Sequence, residues 1–257
     1  MVSLADGLVL PSAPGGRPAR WAATGRSGGA SRPPYASLNL AGYVGDDASS
    51  VEENRRRVAA QLGLPADQLC VMDSVHGATL AVVDAPGVVP GVDALLTQRP
   101  GLAIVALGAD CVPIALVGSD GLTVAVVHCG WRGLVADVIA VAVRALRDHG
   151  AQVSTAVLGP AVCGSCYPVP QERAAQVVAE RSAAVAAMAL VTTSDGQPGI
   201  DVREGVAARL LELGVSAHAI ERVGGCTVED PALFSYRRDG ITGRQGVAVC
   251  TVDSPGS

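Results

Sequence analysis

The chain has 257 residues, which is long enough to bury a large core and allows one or two domains at roughly 150 residues per domain. Hydrophobic residues make up 49% of the sequence and charged residues 17%, which excludes a disordered or solvating chain. The net charge is −5 and the basic residues are scattered, so nucleic acid is not expected as a partner. All 19 basic residues are arginine, which excludes Schiff-base chemistry and a phosphate-loop lysine.

The composition also indicates the compartment. The first residues have neither a basic region nor an apolar stretch of export-signal length, which predicts a cytoplasmic protein whose seven cysteines are thiols. The stretch 101–118 is apolar enough to suggest a membrane span, but Asp110 and Pro113 interrupt it near its centre. We therefore expect two buried strands there and no membrane contact. The oligomeric state stays open, with a monomer compatible with the sequence.

The N-terminal half begins with a segment that we expect to be irregular over residues 1–20, followed by a short strand at 21–23. The capping-box pattern Ser50-Val51-Glu52-Glu53 predicts a helix that begins there and ends near Leu62. Two strands are predicted next, at 69–72 and 79–83.

The middle of the chain holds three aliphatic runs at 102–107, 112–117 and 122–127, and a hairpin turn at 118–121 joins the last two. These runs are apolar at nearly every position, so they predict central strands that are covered on both faces. Helices are predicted at 134–149, 171–188 and 203–213, and further strands at 155–158, 219–223 and 247–252. This pattern predicts one α/β domain over residues 1–257, with layered mixed sheets flanked by helices.

Three potential metal ligands, His76, Cys111 and His128, lie at the ends of these apolar runs. Loops at strand ends are where a rigid scaffold presents reactive groups, and two histidines with one cysteine suit a catalytic zinc site with an open position. Each of the three also has a structural interpretation, as a buried thiol or a hydrogen-bonded imidazole. A metal-free pair of cysteine nucleophile and histidine base, oriented by Asp110 or another carboxylate, is a further alternative.

The remaining histidines and cysteines are weaker candidates. His149 closes a predicted helix and His218 lies in a polar turn, so both are expected to be structural. The Cys163-Gly164-Ser165-Cys166 spacing is typical of zinc knuckles and redox pairs, but no second C-x-x-C completes a four-thiolate site. The other cysteines adjoin or lie within apolar runs and are interpreted as small core residues: Cys70, Cys129, Cys226 and Cys250.

Because lysine is absent, any bound anion must be held by guanidinium or backbone N–H groups. Arg26 lies in a glycine-rich loop, and Arg55 lies in the first turns of the predicted helix, whose N-terminus favours anions. We expect these two arginines to hold phosphate or the substrate itself, although a solvated helix face explains Arg55 equally well.

An ordered set of motifs runs from about residue 24 to about 250 and resembles the laccase-domain, or multicopper polyphenol oxidoreductase, family, which is also described as purine nucleoside phosphorylases. The match begins with weaker N-terminal segments, Gly28-Gly29-Ala30-Ser31, Ser37-Leu38-Asn39-Leu40 and Asn54-Arg55. Its main motifs are Val75-His76-Gly77, Ala109-Asp110-Cys111-Val112-Pro113, His128-Cys129-Gly130-Trp131-Arg132-Gly133, Leu158-Gly159-Pro160-Ala161, Cys166-Tyr167-Pro168-Val169, Cys226-Thr227 and 233–240. Cys129 departs from the pattern, since alanine is expected there.

The resemblance implies a zinc-dependent enzyme that cleaves adenosine and inosine with phosphate, with adenosine deaminase and methylthioadenosine phosphorylase activity. It places the metal on His76, Cys111 and His128, with Asp110 as a candidate proton donor or as a brace for the Cys111 loop. It also implies a fold related to bacterial cysteine deamidases, which keeps the metal-free Cys-His deamidase as an alternative. The older family name implies copper and polyphenol oxidation, but four histidines cannot supply several copper sites.

Overall fold

Two mixed six-stranded sheets form the centre of the molecule in the computed structural model, which describes residues 9–10 and 19–252. The first sheet has the order β1-β2-β14-β7-β3-β5 and the second the order β13-β10-β8-β9-β6-β4, while β11 and β12 pair separately. The strands are β1 Val9–Leu10, β2 Ala19–Ala23, β3 Leu69–Asp73, β4 Leu80–Val82, β5 Gly87–Pro90, β6 Ala94–Thr97, β7 Ala103–Gly108, β8 Val112–Gly118, β9 Val124–Cys129, β10 Val153–Leu158, β11 Leu190–Thr192, β12 Pro198–Ile200, β13 Ile220–Arg222 and β14 Gln245–Thr251. The helices are α1 Ala48–Gln61, α2 Trp131–Val135, α3 Val138–Asp148, α4 Gln171–Glu180, α5 Ala183–Ala189, α6 Val202–Glu212 and α7 Tyr236–Asp239.

The buried side chains form three apolar layers around the two sheets. Between the sheets, residues of β7 and β14 meet residues of β8 and β9, as in the cluster that contains Ile104, Val249, Ala115 and Val126. The outer face of the second sheet packs against α2, α3, α5 and α6, and the outer face of the first sheet packs against α1. The predicted layered α/β fold is therefore confirmed.

The three aliphatic runs in the middle of the chain are β7, β8 and β9, and every residue of these strands is buried. Alternate side chains of β8 enter different layers: Ile114 and Leu116 face the helices, while Ala115 and Val117 face the first sheet. The prediction of central strands covered on both faces is confirmed. Among the described residues, no helix is long and apolar enough to span a membrane.

The N-terminal predictions need two corrections. Val9 and Leu10 pair with Arg20 and Ala19, so the segment that we expected to be irregular contains a short strand and the start of β2. Residues 1–8 and 11–18 of that segment lie outside the described residues. Helix α1 begins at Ala48, before the predicted capping box, because the Asp47 carboxylate already accepts a hydrogen bond from the Ser50 N–H and caps the helix.

Both long helices predicted in the second half of the chain are interrupted. The first divides into α2 and α3 at Asp137, which has a φ of 61°, and the second divides into α4 and α5 near Arg181. The Asp137 carboxylate accepts from Arg209 Nε and Nη2 at 2.9 and 2.7 Å and lies 3.0 Å from Arg181 Nη1. The two breaks are therefore joined to each other and to α6 by one carboxylate, a contact that helical periodicity does not indicate.

We expect Asp137→Asn to lower the free energy of unfolding at neutral pH by about 1 kcal/mol, after allowance for partial exposure of the ion pairs. Asparagine tolerates the left-handed backbone, so the decrease in the free energy of unfolding comes from the lost charge. Burial opposes ionisation of Asp137, but Arg209 and Arg181 outweigh it and hold its pKa below the ordinary value. The stabilisation is therefore present above the unfolded-state pKa of about 3.9 and is lost as the pH falls through the folded-state value.

Urea unfolding of wild type and variant at pH 7 and at successively lower pH would measure this difference. The gap between the two proteins should be largest at neutral pH and should shrink below about pH 4. Asp84→Asn at an exposed position is the control and should leave unfolding unchanged. A gap between Asp137→Asn and wild type that does not depend on pH would contradict the ion-pair explanation.

Candidate active site

The predicted trio of ligands meets where the two sheets end side by side. His76 follows β3 of the first sheet, Cys111 directly precedes β8 of the second sheet, and His128 lies in β9. The register pairs Pro113 with His128, which brings the start of β8 next to the end of β9. One side-chain donor atom from each of His76, Cys111 and His128 lies within 4.8 Å of the other two. The rings of His76 and His128 meet edge to face, with centroids 4.7 Å apart.

Asp93, which the sequence analysis did not single out, organises the two histidines. Its fully buried carboxylate lies 3.2 Å from His128 Nδ1 and accepts hydrogen bonds from the backbone N–H groups of His76 and Gly77 at 2.7 Å each. His76 has a φ of 64°, a conformation uncommon outside glycine, and the Asp93 contacts hold its backbone there. The signal that could have found this residue is a charged side chain immediately before an apolar run, in Asp93-Ala94-Leu95-Leu96.

The electrostatics of the site favour a thiolate at Cys111. Burial opposes its ionisation, but the charge and hydrogen bond of His128, together with His76, lower the pKa of Cys111 to about 6. Burial likewise opposes protonation of His128, but the thiolate and the Asp93 carboxylate raise its pKa to about 9. Burial also opposes ionisation of Asp93, and its hydrogen bonds to His128 and to the backbone of Gly77 and His76 outweigh this effect and lower its pKa.

The donor set fits a zinc ion. Zinc prefers thiolate sulfur and imidazole nitrogen, and three protein ligands with one open position are typical of catalytic sites. The carboxylate beside His128 Nδ1 directs the other ring nitrogen, Nε2, towards the cluster, which is the arrangement of histidines that ligate zinc. His76 is exposed at this site while His128 is buried, so the cluster has one face open to ligands.

Asp110, the candidate proton donor, is held by three hydrogen bonds. Its carboxylate accepts from the hydroxyls of Thr227 and Ser235 at 2.6 and 2.7 Å and from the Arg237 N–H at 2.7 Å. Asp110 has a φ of 97°, so these contacts also fix an unusual backbone next to Cys111. This geometry favours the second role given to Asp110 above, that of a brace for the Cys111 loop.

A cleft of about 850 Å³ opens above the trio, within the range of small-molecule sites. Its wall carries three arginines, each stacked on an aromatic ring: Arg173 on Trp131 at 4.6 Å, Arg237 on Tyr167 at 4.7 Å and Arg244 on Tyr236 at 5.8 Å. In residues 19–252, none of the three arginines forms an ion pair with a carboxylate. The cleft therefore combines unpaired positive charge with flat rings beside the trio.

The structure does not place Arg55 or Arg26 in this cleft. Arg55 Nε donates to the Leu40 carbonyl, and Arg26 Nε donates to the Ala36 carbonyl while its Nη1 lies 3.3 Å from Asp239. Both guanidinium groups hold neighbouring segments together, and the half-buried Arg55 does not belong to a solvated helix face either.

The N-terminal motifs that contain these arginines meet at a buried asparagine. Asn54 Nδ2 donates to Ser31 Oγ and to the carbonyls of Ser37 and Asn39, and Asn54 Oδ1 accepts from the Ala30 N–H. These residues thus form a structural junction between α1 and the segment that precedes it.

Three of the six cysteines outside the trio lie in the apolar layers, as predicted. Cys70, Cys129 and Cys250 are buried in the apolar layers, and burial raises the pKa of each thiol. Cys129 faces the helices, whereas His128 faces the cleft, so the Cys129 thiol points away from the metal ligands. Cys226 is buried as predicted, but it also has polar neighbours: its sulfur accepts a hydrogen bond from the Cys163 N–H and lies beside Cys166.

The relatives of this chain include a purine nucleoside phosphorylase of Streptomyces coelicolor, which is 47% identical over 86% of this chain and 90% of its own. A purine nucleoside phosphorylase of Corynebacterium glutamicum is 40% identical over 92% of this chain and 96% of its own. The crystal structure of YlmD from Geobacillus stearothermophilus superimposes with a TM-score of 0.82 at 30% identity and covers 96% of this chain and 100% of that one. Residues 20–252 match the family model described as multi-copper polyphenol oxidoreductase laccase. The chain therefore belongs to this laccase-like family, whose relatives named here include purine nucleoside phosphorylases.

Proposed function

We propose that this protein is a zinc-dependent purine nucleoside phosphorylase that cleaves adenosine and inosine with phosphate. The observation that carries the proposal is the convergence of His76, Cys111 and His128 at a cleft lined by unpaired arginines and aromatic rings. The names of the relatives support the same activity. We further propose adenosine deaminase and methylthioadenosine phosphorylase activity in the same cleft, and a cytoplasmic location.

The residues of the cleft have separate roles in the proposed phosphorolysis. Zinc held by the trio would supply Lewis-acid chemistry. Asp93 fixes the orientation of His128 and the backbone of His76, while Asp110 fixes the loop of Cys111. The exposed rings of Tyr43 and Tyr236 offer flat apolar surface for a purine at the rim of the cleft.

The arginines of the wall suit the anionic co-substrate. Phosphate must be held near the ribose C1′, and positive charge beside that position would orient the phosphate and favour its attack. Arg173, Arg237 and Arg244 meet this requirement, because their guanidinium groups lie in the cleft without carboxylate partners. We therefore assign phosphate binding to these three residues in place of Arg55 and Arg26.

Product analysis tests the proposed activity directly. The zinc-loaded protein is incubated with adenosine or inosine, with and without phosphate, and the products are separated by chromatography. Hypoxanthine with ribose 1-phosphate from inosine, formed only when phosphate is present, would establish phosphorolysis. Inosine as the sole product from adenosine would instead indicate deamination, and no turnover of any nucleoside would refute the proposal.

A second candidate function is supported by one observation. Cys111, His128 and Asp93 lie in the order of a cysteine nucleophile, its base and an orienting carboxylate, and the pKa of Cys111 is lowered to about 6. This arrangement suits a metal-free deamidase or hydrolase. An assay for deamidation of glutamine side chains in candidate protein substrates would test this function. Polyphenol oxidation by several copper ions has no comparable support, since His149 and His218 lie outside the trio and the chain has only four histidines.

We expect Arg173→Gln to raise the KM for phosphate about 10- to 100-fold, because a hydrogen bond to a charged group contributes about 1.5–3 kcal/mol. The zinc content should stay unchanged, since Arg173 is not one of the metal ligands. Arg55→Gln, outside the cleft, is the matched control and should leave the KM for phosphate unchanged. If Arg55→Gln raised the KM for phosphate and Arg173→Gln left it unchanged, the result would support the phosphate-binding role that the sequence suggests for Arg55.

A further inference from the structure

A second cluster of metal ligands lies next to Thr227, the residue whose hydroxyl donates to Asp110. It consists of Cys163 and Cys166 from the C-x-x-C segment, with Cys226 and Glu229 from the segment that follows β13. The donor atoms of these four residues all lie within 4.8 Å of one another. The C-x-x-C pair thus obtains its third and fourth partners from a segment about sixty residues away, where no second C-x-x-C spacing marks them in the sequence.

The distances in the cluster match a single tetrahedral ion. Zinc–sulfur and zinc–oxygen bonds of about 2.3 and 2.1 Å place sulfur and oxygen ligands about 3.6 Å apart around one ion. The observed separations from Glu229 Oε1 are 3.3 Å to Cys166 Sγ and 3.9 Å to Cys163 Sγ, on either side of this value. We propose that Cys163, Cys166, Cys226 and Glu229 bind a second zinc ion in a closed, four-ligand site.

The local backbone gives this ion a structural role. Residues 223–235 contain no helix or strand, and they carry Thr227, which holds the Asp110 carboxylate next to Cys111. This segment is joined to 161–166 by a bridge between Ala161 and Cys226 and by the Thr227 N–H, which donates to the Ala161 carbonyl. A zinc ion shared by Cys163, Cys166 and Cys226 would crosslink the two segments and so fix the wall of the cleft.

The backbone that carries Glu229 is held in place by an arginine. The Arg238 guanidinium donates to the carbonyls of Thr227, Asp230 and Leu233, on both sides of Glu229 in the chain. Its charge is paired with the Asp239 carboxylate, which lies 2.8 Å from Arg238 Nε. These contacts fix the position of the segment that supplies Cys226 and Glu229 to the proposed ion.

Metal analysis of the full chain, purified under reducing conditions with zinc in the medium, tests the proposal. We expect the double variant Cys163→Ser/Cys166→Ser to contain one zinc ion fewer than the wild type, and Cys111→Ser to retain the zinc of the second site. Cobalt substitution gives an independent readout: the thiolate-to-cobalt absorption should persist in Cys111→Ser and lose most of its intensity in the double variant. Because these tests count metal, they do not depend on the proposed enzymatic activity.

Glu229→Gln is a milder test, because the side chain is exposed and its replacement should not disturb folding. Competition with a chelator should show that the variant binds zinc at this site at least about 10- to 100-fold more weakly than the wild type. Removing a residue that only hydrogen-bonds to a metal ligand already causes a loss of this size. Equal zinc content in the wild type and the double variant would overturn the proposal. A disulfide between any two of the three cysteines in the purified protein, found by mass spectrometry without reduction, would overturn it as well.

Discussion

His76→Asn is expected to remove the zinc ion of the cleft and to lower kcat/KM for inosine phosphorolysis by about 10³-fold or more, which corresponds to about 4 kcal/mol of lost transition-state stabilisation. Asparagine is the suitable replacement because it tolerates the left-handed backbone at this position, where φ is 64°. His76 is exposed, so the fold should keep its stability. Zinc content, kcat/KM and the unfolding midpoint are the three measurements.

This variant also separates the two candidate mechanisms. A metal-free mechanism would rely on Cys111, His128 and Asp93, and all three remain in His76→Asn. Activity that survives this substitution and treatment with a chelator would therefore favour the nucleophilic cysteine. His218→Asn is the matched control, because His218 lies outside the trio and should leave both zinc and turnover unchanged.

The sequence predicts the layered fold well, because its central strands are apolar at nearly every position and only burial on both faces accommodates them. Strands β5 and β6 escaped prediction for different reasons. β5 is exposed and contains Gly87 and Pro90, which indicate a loop, whereas β6 is a four-residue apolar run too short to classify. The helix breaks also escaped, since the ion pairs of Asp137 with Arg209 and Arg181 join residues far apart in the chain.

The site is predictable only in part, for a similar reason. His76, Cys111 and His128 stand out because each is a reactive side chain at the end of an apolar run. Arg173 and Arg237 carry no such local signal, and Asp93 has one only in its place before an apolar run; the roles of all three arise from contacts between distant segments. The position of Arg55 at a helix N-terminus predicts anion binding, but its guanidinium Nε instead donates to the Leu40 carbonyl.

Gly130 lies between His128 and the first turn of α2, and its replacement by alanine is expected to have the second large effect on activity. A Cβ atom at this position would lie 2.8 Å from Cys111 Sγ, so alanine would force this ligand to move, whereas the 3.4 Å to His76 Cδ2 is an ordinary contact. Its φ of −92° is one that alanine adopts freely, so the steric contact is the cause of any effect. We expect Gly130→Ala to lower kcat/KM by about 10²-fold, the effect of displacing a catalytic group by about 1 Å.

The lower kcat/KM of Gly130→Ala should come from the metal site and not from unfolding. The expected signs are reduced zinc occupancy and a circular dichroism spectrum like that of the wild type. Gly42→Ala is the control, because its Cβ would have its nearest neighbour at 3.9 Å, an ordinary contact with the Arg55 side chain. If Gly130→Ala kept full zinc and full turnover, the Cys111 sulfur could move without cost, and the close approach at Gly130 would not determine the geometry of the site.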